Sequence, residues 1–85
     1  MKAEIKRESL EELLRILRKH ESTGDGDYYG LYLRKCDELL PGLTYDAFST
    51  LEGIIEDLVS WYGPKTPTDK VVAVLELMGV VVTDE

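Results

Sequence analysis

Two side chains in this 85-residue chain belong to the types that serve as nucleophile or general base near neutral pH, His20 and Cys36, and each type occurs once. A Cys–His pair needs a preformed cleft and a third group to orient the base, and the pattern around each residue signals neither. His20 ends the basic run Arg18-Lys19-His20, where a cation complements the C-terminal end of a helix dipole. Cys36 falls on an apolar helical stripe and reads as a core thiol. A lone cysteine can neither staple the fold nor build a cysteine zinc site. Gly24-Asp25-Gly26-Asp27 resembles the start of a calcium loop, but the twelfth position counted from Asp25 is Cys36, where the loop needs a bidentate Glu. No phosphate-cradling glycine motif is present. The reading from these residues is that the chain is not an enzyme and takes no cofactor and no metal.

The carboxylates carry a different signal. The net charge is −7, from 10 basic and 17 acidic residues, and it is unevenly spread. Residues 1–20 hold six basic and four acidic side chains, whereas residues 21–85 hold four basic and thirteen acidic ones. Between Cys36 and Pro64 there is no Lys or Arg beside Asp37, Glu38, Asp46, Glu52, Glu56 and Asp57. Such a field repels nucleic-acid and membrane phosphates and attracts basic proteins. A solvated face kept for solubility is the plain alternative. The few basic residues near the N-terminus interleave with Glu8, Glu11 and Glu12, with Glu11 and Arg15 placed to pair at i, i+4.

The elements that position these residues read as helices. A 44% hydrophobic and 32% charged composition suits one globular domain spanning 1–85. No stretch approaches the ~18–20 apolar residues of a membrane span, and MKAEIKRESL lacks the apolar region of a secretory leader, so a cytosolic location is expected. Ser9 and Glu12 have capping-box spacing ahead of a stripe of Leu10, Leu13, Leu14 and Leu17. The 22–27 segment reads as a loop, with Asp27 able to cap a second helix carrying Tyr28, Leu31, Tyr32, Lys35, Cys36, Leu39 and Leu40. Pro41-Gly42 ends that helix, and Thr44 caps the third. Its stripe is Phe48, Leu51, Ile55, Leu58 and Tyr62, widened by Ala47, Ile54 and Trp61, and Gly63-Pro64 stops it. A fourth helix starts with Thr66 as cap and Pro67 at the first position, and ends at Gly79. Val80-Val81-Val82 either packs extended over the core or pairs as a strand with residues 2–6.

Tyr and Trp supply rigid, amphipathic contact area at protein interfaces. Tyr28, Tyr32 and Tyr62 are expected in the core, whereas Tyr29 falls off the second helix's stripe and is a candidate exposed contact, as is Tyr45. The stretch Asp25-Gly26-Asp27-Tyr28-Tyr29, in a small acidic helical chain, resembles the colicin DNase immunity family. That family is a four-helix fold whose members inhibit a basic nuclease with an acidic helix and a paired-tyrosine segment. In the family the tyrosine pair follows the main acidic helix, whereas here it precedes residues 44–62, and Gly30 stands where the family has Pro. Phage-encoded counter-defence proteins, including DNA mimics, are a parallel class of the same size and charge.

These readings combine into an all-α, compact bundle of about four helices, with a minor two-strand pairing of the termini as an option. The expected function is stoichiometric inhibition, of the immunity or phage counter-defence type, of a basic, nucleic-acid-handling protein. The expected partner-binding residues are Asp25, Asp27, Tyr29, Tyr45, Glu52, Glu56 and Asp57. Direct contact with nucleic acid or membrane is not expected, and a homodimer remains open. The alternatives are a structural or assembly subunit that homo-oligomerises, favoured by the broad apolar face of the third helix, and a small DNA-binding regulator, disfavoured by the net charge.

Overall fold

The computed structural model describes residues 3–40 and 43–84. The order is β1 (Ala3–Lys6), α1 (Arg7–Thr23), α2 (Gly26–Leu39), α3 (Tyr45–Tyr62), a short 3-10 turn at Gly63–Lys65, α4 (Thr68–Leu77) and β2 (Val80–Thr83). The four expected helices are present. Of the two options for the tail, pairing is the one adopted. β1 and β2 run parallel, with Ala3 beside Val80 and Lys6 beside Thr83. Lys2 and the Pro41-Gly42 stop lie outside the described residues.

α1 is the hub, packing against α2, α3, the 3-10 turn and β1. The expected leucines Leu10, Leu13, Leu14 and Leu17 are all buried, joined by Ile16. A face this wide lets one helix meet neighbours on several sides. The Ser9–Glu12 capping box does not form. α1 begins at Arg7, directly off β1, with no side-chain cap, which places Ser9 inside the first turn. Glu12 instead takes Arg15 as its ion-pair partner, displacing the expected Glu11–Arg15 pair, and Glu11 accepts from the Thr68 hydroxyl.

The loop after α1 is shorter than composition suggests. Ser22 and Thr23 stay helical, the Thr23 hydroxyl donating to the Lys19 carbonyl. Gly24 then reverses the chain at φ 71°, a left-handed conformation that suits glycine. Asp25, not Asp27, caps α2: its carboxylate accepts from the Asp27 N–H at 2.9 Å. The position before the first helical residue sets the cap, and α2 begins at Gly26.

α3 buries the row Ala47, Leu51, Ile55 and Val59, spaced i, i+4, with Phe48, Ile54 and Leu58 half-buried beside it. Trp61 and Tyr62, assigned to this stripe from sequence, are exposed, Trp61 by 83%. At 3.6 residues per turn, Trp61 points roughly 120° away from Ile55. Tyr62 keeps the right angle but is the last residue of the helix, where packing neighbours lie on one side only.

Thr66 does not cap α4. Pro67 takes the cap position and Thr66 is buried, its hydroxyl donating to the Gly63 carbonyl at 2.6 Å. The Arg18 guanidinium donates to the Thr66 carbonyl (2.7 and 3.0 Å) and to the Thr68 hydroxyl (2.9 Å). This fork ties the middle of α1 to the start of α4 and satisfies a carbonyl that burial would otherwise orphan. Gly79 ends α4 at φ 89°, as its position after the last apolar residue predicts. No described helix is long and apolar enough to cross a membrane.

Candidate functional site

The expected contact residues divide by helix geometry. At about 100° per residue, Tyr45, Glu52 and Glu56 fall within roughly 40° of one another on α3, on the flank turned toward α2. Two hydrogen bonds join the helices there. The Tyr29 hydroxyl donates to Glu56 Oε1 at 2.6 Å, and the buried Tyr32 hydroxyl donates to the Glu52 carbonyl at 3.0 Å. Tyr29 is therefore not the freely exposed contact expected from sequence. It is half-buried, stacked on Tyr32 at 6.1 Å and tilted against the His20 ring at 5.7 Å. A helical wheel of α2 alone puts Tyr29 off the stripe, but the side chain reaches across to a carboxylate on α3.

Like charges crowd this seam. Glu52 is held above the ordinary carboxylate range by burial first, then by the charges of Glu56 and Asp37. The Tyr29 phenol is pushed up to about 12, chiefly because it donates to Glu56, with burial and the charges of Glu56 and Glu52 adding to the effect. Burial lifts the Cys36 thiol to about 12, partly opposed by a hydrogen bond with Tyr32, while Glu52, Glu56 and Asp37 push it up further. Burial also pushes the Tyr32 phenol up. Cys36 is thus a buried, protonated core thiol at neutral pH.

Where the seam opens beside α1 there is a groove of about 260 Å³. Buried Leu17 and Val59 form its base, His20 and Tyr29 present their rings, and Glu21, Glu56 and Asp57 line it with carboxylates. No Lys or Arg is among its lining residues. His20 Nδ1 lies 2.9 Å from the Asp25 carbonyl, which can only accept, so Nδ1 is the donor. The helix-end position of His20 accounts for its presence there, and the groove gives it a second set of neighbours.

Of the seven residues expected to bind a partner, the structure gathers Tyr29, Glu56 and Asp57 at the groove, with Glu52 one turn along α3. Asp25 and Asp27 are exposed at the nearby α1–α2 turn. Tyr45, 82% exposed, is in line with Glu52 and Glu56 but eleven residues from Glu56, about 16 Å along the axis. Sequence reasoning did not include Asp37 or Glu21 in the site. A larger cleft of about 780 Å³ lies between β1 and the ends of α2 and β2. It mixes Lys6 with Glu4, Glu38 and Asp84 and gathers no set of one chemical kind. Among the described residues, no three of His, Cys, Asp and Glu converge as a metal ion needs. Comparison with known protein families, with characterised proteins and with solved structures gave no match.

Proposed function

We propose that this protein is a binding module that captures a basic, nucleic-acid-handling protein and inhibits it by occlusion, in the manner of an immunity or phage counter-defence protein. The observation that carries the reading is the crowding of Asp37, Glu52 and Glu56 at the α2–α3 seam, with Glu52 held above its ordinary range and no basic residue from Cys36 to Pro64. Like charges at i, i+4 destabilise a helix by ~0.2–0.5 kcal/mol, so the arrangement is a cost to the monomer that a complementary partner would offset. Exposed Tyr45, in line with Glu52 and Glu56 on α3, supplies aromatic area for the desolvated part of such a contact. The acidic field would act mainly on the association rate.

Capture from host lysate at low salt, followed by association kinetics with the purified partner, tests the reading. Asp37 and Asp46 are exposed, so the double variant D37K/D46K leaves the core intact. Its association rate with the basic partner should fall by about tenfold, with a flatter salt dependence. An unchanged rate would remove the acidic face from the mechanism. Self-assembly is the second reading, favoured by Leu77 at 86% exposure with exposed Met78 and Val81 nearby in the chain. A strictly monomeric sedimentation profile across concentrations would exclude it.

A further inference from the structure

The groove between α1 and α3 is too specific in shape and lining to be treated as one more part of an acidic surface. Its volume of about 260 Å³ is below the roughly 300–1,000 Å³ of pockets that enclose whole small-molecule ligands. It is the size for a single side chain. Leu17 and Val59, almost fully buried, close its floor. The His20 and Tyr29 rings, 5.7 Å apart, present aromatic surface to a cation. The polar groups beyond the two rings are the carboxylates of Glu21, Glu56 and Asp57 and the Ser60 hydroxyl.

Two of these groups are already held in place. The Tyr29 hydroxyl donates to Glu56 Oε1 and leaves Oε2 with no donor among the described residues, and the Asp25 carbonyl holds the His20 ring through Nδ1. Asp57 has no hydrogen bond or ion pair among the described residues. A groove with two aromatic rings, three carboxylates and no Lys or Arg of its own is complementary to a side chain with a planar, donor-rich cationic head.

The geometry points to an arginine side chain of the basic partner as the occupant of this groove, its guanidinium facing the Tyr29 and His20 rings on one side and the carboxylates of Glu56 and Asp57 on the other. The inference rests on the binding reading above and adds to it the residue type that is recognised and the place where it docks. Lysine satisfies the charge, but its compact ammonium cannot stack on a ring or bridge two carboxylates in one plane.

The test uses the full chain labelled with ¹⁵N and three blocked amino acids as probes: N-acetyl-arginine amide, N-acetyl-lysine amide and N-acetyl-citrulline amide. The expected result is a saturable shift for the arginine probe, with a Kd in the millimolar range, localised to the amides of Leu17, His20, Tyr29 and Val59. The lysine probe should bind more weakly, and citrulline, the neutral isostere, should give no saturable shift. D57N alters an exposed residue and should weaken arginine binding by about fivefold. The inference is overturned if the arginine shifts stay linear, if citrulline or lysine matches arginine, or if D57N has no effect. It is overturned equally if the shifts spread over Asp37, Glu52 and Tyr45 instead of the groove. The two readings fail separately, because D37K/D46K lies outside the groove. A partner that binds wild type faster than that variant, without an arginine shift, keeps the acidic-face reading and removes the arginine site.

Discussion

At the residue scale, the Tyr29–Glu56 hydrogen bond and the strained carboxylate of Glu52 make opposite predictions. Tyr29 has a folded pKa raised to about 12, against about 10 for a free phenol. Its contribution is therefore fully present below about pH 10 and is lost as pH rises toward 12. Tyr29→Phe should cost about 1 kcal/mol at pH 8, and the gap to wild type should close in thermal melts at pH 11–12. A gap independent of pH would mean that Tyr29 acts through packing alone. Glu52 is raised by burial and by its acidic neighbours, so its penalty is present when it is ionised and vanishes once folded and unfolded states are both protonated. Glu52→Gln should stabilise by ~0.2–0.5 kcal/mol at pH 7, with no gain below about pH 4. Calorimetric melting at both pH values decides it.

At the element scale, the helix starts and the interior glycines are the places to test. Asp25 caps α2 and Ser9 caps nothing. Asp25→Ala should cost about 1 kcal/mol, and Ser9→Ala should be near neutral. Denaturant titrations giving the reverse order would restore the capping box that the spacing of Ser9 and Glu12 suggests. Gly53 lies inside α3 between the two glutamates, and a methyl group added there would meet nothing within 4 Å. Glycine inside a helix costs about 0.8–1 kcal/mol against alanine, and no contact in the monomer calls for it. Gly53→Ala should raise stability by that amount. If α3 is the contact face, the same change should slow or weaken partner binding while the fold gains.

At the scale of the whole molecule, the chain closes on itself. The two ends of the described chain pair as β1 and β2, with all four helices between them, and Ile5 and Val80 are buried in the common core. Helical contacts are local and form early, whereas pairing distant strands must first overcome the entropy of closing a long loop. Val80→Ala should cost about 2 kcal/mol and express nearly all of it as faster unfolding, leaving the refolding rate close to wild type. Stopped-flow chevrons would read this directly. Slower refolding by the full amount would place the terminal pair in the nucleus.

The sequence by itself determined the number of helices, the apolar row of α1 and the charge asymmetry, because these depend on local spacing and composition. Leu10, Leu13, Leu14 and Leu17 are buried as their i, i+3, i+4, i+7 spacing requires, and Gly79 ends α4 where it should. The tertiary structure alone decided what depends on a neighbour distant in the chain. β2 chose parallel pairing over loose packing because β1 was there to receive it. Arg18 reached Thr66, 48 residues away, and drew that threonine into the core. Tyr29 reached across to Glu56, 27 residues on. A one-dimensional pattern records which face of a helix a residue occupies. It does not record what stands opposite that face, and there the hydrogen bonds, shifted proton affinities and groove of this protein are made.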